Sequence, residues 1–315
     1  MFMSHDGLCS IGELAESAGV TVKAVRFYSD NGLLPEAARS AGGHRRYGPD
    51  ALGRLRLLRS LRALGLPVRE VRRVLDEEDA ADSVLEDAVA GHLSELGSQL
   101  TALRWREAGL RLVLECPPGE RADRLRLIGA VTAPPSTAPL ARFWRAWLPP
   151  RMPARATAAF LEAAVPQPPA DPEPEQVLAF ARLYAMVTRP CTDAEQGRPE
   201  AHKASGAHGP DVLYAGLARA YDLAGTQLRR GRDPYAGEEL DSFVDAYASV
   251  YGSRDTPAFR RVLAGHLATD PRIDRYWELV AEVITPPGAA PEPTPGSAHD
   301  WLFAALDAQT AAEAA

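Results

Sequence analysis

Cysteine is scarce in these 315 residues. Cys9, Cys116 and Cys191 are the only three, far apart and odd in number. That excludes a disulfide frame and points to reduced thiols in a cytoplasmic protein. Long apolar runs are also missing. No stretch of eighteen apolar residues occurs, so no membrane span is expected. The opening MFMSHDGLCS carries an acid and lacks the apolar core of an export signal. β-branched runs are rare beside abundant Ala, Leu and Arg, so the expected fold class is mainly all-α. GxSxG, a phosphate-binding P-loop, HExxH and a dinucleotide fingerprint are absent. Asp241, Asp245, Asp270 and Asp274 have helical spacings, but solvated helix faces give those freely. We therefore expect no enzyme and no cofactor.

What the chain does have is charge asymmetry. Its length suggests two domains. Its net charge is −7, yet residues 1–75 hold 12 Lys and Arg against 7 Asp and Glu, and the rest holds 23 against 35. A basic head of +5 on an acidic body of −12 fits a nucleic-acid-binding module joined to something else.

The head reads as a helix-turn-helix. Ser10 and Glu13 have capping-box spacing, opening a helix to about Ser17. Gly19 turns the chain and Thr21 caps a second helix from Val22 to about Asp30, with Val22 and Val25 inward. That helix carries Arg26, Phe27 and Tyr28 side by side, then stops at Asn31-Gly32, residues that suit a left-handed helix end. LLPEAARSAGGHRRYG follows as an extended segment, a Gly42-Gly43 turn and a return strand, which together make a wing. Pro49-Asp50 opens a third helix with Leu52, Leu55, Leu58 and Leu61 on one face. Pro67 starts a fourth. The start of the second helix offers Thr21, Lys23 and Arg26 to a major groove. Lys and Arg neutralise phosphates, and Arg can also read a guanine edge. Phe27 and Tyr28 would brace the helix, and the wing would present His44, Arg45 and Arg46, with Tyr47 holding it to the body.

From about Asp82 to Glu115, Val89, Leu93, Leu96, Leu100, Leu103, Leu110 and Leu114 recur at spacings of four and three, with Glu107 in the one polar slot. A seam of that period pairs as a left-handed coiled coil, intermolecular or antiparallel, and the rest of the helix reads as strongly polar. We expect three domains: 1–80 for DNA, 81–118 for dimerisation, and 119–315 as a helical effector region.

These residues resemble the MerR family of transcription regulators. Phe27-Tyr28 follow Arg26 where the family has an aromatic pair, Gly32 to Pro35 match its Gly-Leu-Leu-Pro, Gly43 to Tyr47 its wing, and Leu64-Gly65-Leu66 its domain end. Phe27 and His44 stand where tyrosine is usual. The resemblance spans roughly residues 10–115. It implies a homodimer on double-stranded, pseudo-palindromic promoter DNA, distorting it for RNA polymerase. The metal-sensing branches of the family use cysteines at the end of the long helix. A thiolate site needs at least two sulfurs within reach, and Cys116 has no second cysteine until Cys191. Four clustered cysteines for an iron–sulfur centre are absent. His202 and His208 with Cys191 read as a polar loop, so no metal is expected.

Beyond residue 120, helical pieces alternate with Pro-rich joints. Residues 160–174, FLEAAVPQPPADPEP, align without gaps on residues 279–293, LVAEVITPPGAAPEP, a weak internal repeat. The region resembles the all-helical antibiotic-binding type of thiopeptide-induced regulators, most visibly in GHLATDPRIDRYWELVAEVI. That suggests a large apolar or aromatic effector stacking on Trp144, Trp147, Tyr184, Tyr214, Tyr247, Tyr251 and Trp277. Taken singly, each ring reads as ordinary helical core. The competing reading of the whole chain is a constitutive regulator whose C-terminal region binds a protein partner.

Overall fold

A computed structural model describes residues 7–77, 81–149, 152–189, 210–267 and 271–313. Cys191, His202, His208 and Asp270 lie outside the described residues. The chain divides into two compact units, Met1–Ser98 and Gln99–Ala315. The division falls inside one long helix.

In the first unit, Ser10 caps α1 (Ile11–Ala18) as the spacing predicts. Its hydroxyl accepts from the Glu13 amide at 3.3 Å, and the Glu13 carboxylate accepts from the Ser10 amide at 2.7 Å. Gly19, at φ +63°, ends the helix in the left-handed conformation that glycine adopts without strain. Thr21 caps α2 (Val22–Asp30), accepting from the Ala24 amide at 3.2 Å. Val25 is fully buried, but Val22 is exposed, contrary to the expected inward pair. It sits on the first turn of α2, which projects past the core. At the helix end Gly32 takes the left-handed conformation (φ +69°), while Asn31 stays at φ −87° and its side-chain amide donates to Phe27 O at 2.8 Å.

The wing is β2 (Ala38–Arg39) and β3 (Arg45–Tyr47), turned at Gly43, whose φ is +77°. A third strand, β1 (Cys9–Ser10), pairs antiparallel on the other side of β3, Cys9 opposite Tyr47 and Ser10 opposite Arg46. Helices α3 (Ala51–Ala63) and α4 (Val68–Asp76) complete the head. Leu55, Leu58 and Leu61 are buried. Ala51 takes the remaining slot, and Leu52 is half-buried. Adjacent Leu33 and Leu34 enter two separate clusters, one with Leu58, Leu66, Val71 and Ala88, the other with Leu14, Val25 and Leu55.

Four arginines join these pieces. Arg59 donates to Ala18 O, the last residue of α1, and Arg72 donates to Asn31 O at the end of α2. Arg54 donates to Leu33 O at 2.8 Å, to Leu75 O, and to the Asp76 carboxylate at 2.7 Å, closing the end of α4. Arg62 donates to Leu66 O beyond α3. The last carbonyls of a helix have no partner within it and carry the negative end of its dipole, so a guanidinium suits them on both counts.

Helix α5 runs from Ala81 to Glu115. Its C-terminal half belongs to the second unit, with α6 (Arg121–Gly129), α7 (Ala138–Trp147), α8 (Ala154–Ala164), α9 (Pro174–Thr188), α10 (Pro210–Arg229), α11 (Glu238–Tyr251), α12 (Pro257–His266), α13 (Pro271–Ile284) and α14 (Pro295–Ala312). The matched segments 160–174 and 279–293 both run from a helix end into a Pro-rich joint, as read. One cluster gathers Trp105, Leu140, Trp144, Phe180, Leu183, Tyr276 and Val280 from α5, α7, α9 and α13. The other gathers Leu217, Phe243, Tyr247, Leu263, Trp301 and Leu306 from α10, α11, α12 and α14.

Polar side chains tie the helix ends. Gln176, only 6% exposed, accepts from the Glu173 amide at 3.0 Å and donates to Val283 O at 2.9 Å and Thr285 O at 3.1 Å. Arg260 donates to Asp255 at 2.8 Å and to Asp241 and Gln309 at 2.6 Å, joining α11, α12 and α14. A Cβ added at Gly296 would lie 2.2 Å from Trp277 Cγ, so α13 and α14 touch only because that position has no side chain.

Candidate nucleic-acid interface

The N-cap at Thr21 aims the first turn of α2 outward. Thr21, Lys23, Arg26 and Phe27 are all exposed, and Lys23 and Arg26 form no ion pair among the described residues. Phe27 is 52% exposed beside Arg26, and its ring meets Tyr28 edge-on at 5.6 Å. Tyr28 itself is half-buried against both clusters of the head. Exposed side chains cost nothing further to bring to a phosphate, and an unpaired cation loses no internal partner in doing so.

The wing divides differently from its sequence pattern. His44 stands exposed at the turn. Arg45 points back, pairing with Asp30 at 2.6 Å and Glu36 at 3.2 Å. The Asp30 hydrogen bond raises the pKa of its guanidinium further above the ordinary value. Arg46 occupies the middle strand between Ser10 and Ala38 and is half-buried. Tyr47 is fully buried and shares a 2.8 Å hydrogen bond with the Ser29 hydroxyl. Tyr47 thus holds the wing to α2, the role the sequence suggested for it beside its place in the contact set, and Arg45 is already engaged by two carboxylates. Alternation along β3 puts Arg45 and Tyr47 on one face and Arg46 on the other.

Along α5 the leucine row is left open. Leu93, Leu96, Leu100, Leu103, Leu110 and Leu114 are 44–75% exposed in the single chain, and Val89 is half-buried. The opposite side is not strongly polar, as the sequence suggested. Ala102, Trp105, Ala108 and Leu112 are buried there, and Trp105 Nε1 donates to Pro169 O at 2.9 Å. Their i, i+3, i+6, i+10 spacing was available in the sequence but is carried by two alanines, one tryptophan and a single leucine.

The seven aromatic candidates do not form one group. Trp144, Trp147, Tyr184 and Trp277 belong to the first cluster of the second unit, where Trp144 meets Trp147 at 5.2 Å and Trp277 at 5.6 Å. Tyr247 and Tyr251 belong to the other cluster. Tyr214 meets Phe160 at 5.2 Å. Trp144 and Trp277 are buried core rings, and the Trp144 indole N–H is buried without a partner among the described residues. One neighbour escaped the sequence reading. His299 of α14 lies 3.0 Å through Nδ1 from the Tyr221 hydroxyl of α10. A lone histidine between an alanine and an aspartate carries no signal of burial.

An exposed basic helix start beside a wing, on a head bolted together by its own arginines, defines a winged helix-turn-helix DNA-binding module. The profile of the MerR HTH family of regulatory proteins matches residues 9–78. The mercuric resistance operon regulatory protein of Serratia marcescens is 35% identical over 109 residues, 34% of this chain and 76% of that one. The chain belongs to the MerR family. The HTH-type transcriptional activator TipA of Streptomyces coelicolor is 45% identical over 71 residues, 22% of this chain and 28% of that protein. The nodulation protein NolA of Bradyrhizobium sp. is 38% identical over 90 residues, and the chain spans 36% of its length. Among solved structures, HiNmlR, a MerR family regulator lacking the sensor domain and bound to promoter DNA, matches 33% of this chain and 90% of that chain at 25% identity, with a TM-score of 0.23. No helix among the described residues is long and apolar enough to cross a membrane.

Burial lowers the His299 pKa from its ordinary 6.5 to about 4. The unfolded chain then binds a proton at His299 that the native state refuses between these values, so stability is full above pH 6.5 and falls as pH drops toward 4. The loss should be on the order of 2–3 kcal/mol. Asp300, whose pKa is raised by burial, titrates beside it, so the comparison is between wild type and His299→Gln. Denaturant unfolding from pH 7 to 4.5 should give a shallower stability decline in the variant; parallel curves would contradict the shift.

Proposed function

We propose that this protein acts as a homodimer on a pseudo-palindromic promoter and distorts that DNA for RNA polymerase when a large apolar or aromatic effector binds its helical C-terminal region. The exposed leucine row of α5 is the observation that carries this reading. Burying one leucine contributes roughly 1.5–3 kcal/mol, so six left in water cost about as much as a small domain's whole stability. A second copy of the same helix, lying antiparallel, covers the row with its own. Two heads related by that symmetry fit two half-sites. Thr21, Lys23, Arg26, Phe27, His44 and Arg46 form the proposed DNA-facing set, and Tyr28 and Tyr47 support it from within.

The protein-partner reading calls for a broad exposed apolar face beyond α5. Among the described residues there, the large apolar side chains left exposed are Leu125, Tyr235 and Val262, scattered over three places in the sequence. Isolated exposed apolar residues are ordinary. The effector reading is favoured on that ground.

Arg26→Ala should weaken operator binding by about 1–3 kcal/mol at matched salt if the guanidinium reads a base edge. Fluorescence anisotropy with a labelled operator measures it, and unchanged affinity would remove Arg26 from the interface. The double substitution Leu103→Asp with Leu110→Asp should yield a folded monomer by light scattering and circular dichroism, with operator affinity reduced in step. A persisting dimer would sink the seam. Thermal melting of the full chain against hydrophobic antibiotics and metal ions tests the effector. A compound that binds only the native state raises the melting temperature. A large aromatic hit supports the reading, and no shift across the series moves the weight to a protein partner.

A further inference from the structure

The spacing of the exposed row on α5 fixes how a second copy of the helix can lie on it. From Val89 to Leu114 its eight slots are separated by 4, 3, 4, 3, 4, 3 and 4 residues, an order that reads the same from either end. Both ends are defined. The next slot before Val89 is Glu86, and the helix stops at Glu115, one residue past Leu114. An antiparallel copy turned about an axis level with Thr101 and Ala102 therefore sets every slot of the row against another slot of the row. The opposite side of α5, with Trp105, Ala108 and Leu112, is covered by the chain's own helices, so the row is the side left for a partner.

Two charge features favour the same arrangement. The one polar slot is Glu107, exposed and paired with Arg111 of its own helix at 2.6 Å. In a parallel pair the two Glu107 carboxylates would share one layer of the seam and repel each other. In the antiparallel pair they stand about 16 Å apart along the helices, each facing the partner's Leu96. Sliding that pair by one heptad toward its C-terminal halves would return them to about 6 Å in height. Sliding it the other way would set Glu86 against the partner's Leu110 and Asp82 against the partner's Leu114. The second feature is how charge divides along the helix. Residues 81–100 hold Asp82, Glu86, Asp87 and Glu95 and no Lys or Arg, while residues 101–115 hold Arg104, Arg106 and Arg111 against Glu107 and Glu115. Antiparallel pairing lays the acidic half along the arginines, and parallel pairing lays acid on acid.

We propose that two copies of α5 pair in this one register, with Leu93 opposite the partner's Leu110, Leu100 opposite the partner's Leu103, and Arg106 meeting the partner's Glu95 at the rim. The proposal rests on the homodimer reading and names its register and its ion pair. Arg106 is exposed and forms no ion pair among the described residues. In this register it stands level with the partner's Gly97, about 3 Å of helix rise from the partner's Glu95. Both residues lie on the same flank of the row, Arg106 just before the Glu107 slot and Glu95 just before the Leu96 slot. The two-fold axis repeats the contact, so the dimer makes it twice.

Disulfide mapping in the full-length protein reads the register. A chain carrying Leu93→Cys and Leu110→Cys is oxidised, and the linked tryptic peptides are identified by mass spectrometry. The two positions lie about 25 Å apart on one helix, so a bond between them joins two chains. A link between positions 93 and 110 is expected, and Val89→Cys with Leu114→Cys should give a link between 89 and 114 as a second pair. A link from 93 to 93 would overturn the antiparallel orientation. A link from 93 to 103 in Leu93→Cys with Leu103→Cys, or from 100 to 110 in Leu100→Cys with Leu110→Cys, would overturn the register. A dimer by light scattering that forms neither expected link overturns the register and leaves the homodimer reading standing, whereas a monomeric wild type overturns that reading itself. Arg106→Glu should weaken dimerisation about five- to tenfold by sedimentation equilibrium, and adding Glu95→Arg should restore it to within about twofold. Equal weakening in the double variant overturns the Arg106 contact.

Discussion

The constraint on which the rest depends is that one helix, α5, carries apolar surface on two sides and this chain covers only one of them. Trp105, Ala108 and Leu112 are buried under the chain's own helices, and the Trp105 indole is fixed by its bond to Pro169 O. The leucines on the other side have nothing over them in the single chain. Apolar surface of that extent is unfavourable in water whatever its purpose. A second copy of the helix is the cover we propose for that row.

In the head, the basic residues do two jobs that charge counting merges. Arg54, Arg59 and Arg72 donate to carbonyls at the ends of α4, α1 and α2, and Arg62 donates to Leu66 O in the link between α3 and α4. Arg45 is held by Asp30 and Glu36. Lys23 and Arg26 on α2, Arg56 on α3 and His44 on the wing are exposed and form no ion pair among the described residues. The positive excess that marked the head as nucleic-acid-binding is thus partly scaffold. The scaffold and the contact surface still cooperate, because the bolts at Ala18 O and Asn31 O fix the entry to the turn before α2 and the C-terminal end of α2 itself.

The C-terminal unit follows the same economy of polar groups, with exceptions. Gln176 and Arg260 use nearly all their hydrogen-bonding capacity on helix ends and carboxylates. Against that background the buried Trp144 indole N–H stands apart, without a partner among the described residues. The rings earlier grouped as one stacking surface lie in different packing environments. Trp144 and Trp277 are interior rings of one cluster, and Tyr247 and Tyr251 belong to the other.

Local order was legible in the sequence because its causes are local. The Ser10–Glu13 box, the Thr21 cap, the glycine turns and the period of the leucine row depend on residues within a few positions of one another, and each stands where its spacing put it. The family could be read for the same reason, since its motifs are short and contiguous. Tertiary structure alone decided the rest. Strand β1 is two residues long and exists only because β3, 36 or more residues away, offers it hydrogen bonds. Val22 went outside and Arg45 to two carboxylates, since burial depends on what lies opposite and not on the residue's own pattern. The buried face of α5, written in two alanines, a tryptophan and one leucine, acquires meaning only from the helices packed on it. His299 met Tyr221 across 78 positions of chain, a separation over which sequence spacing carries no information about contact.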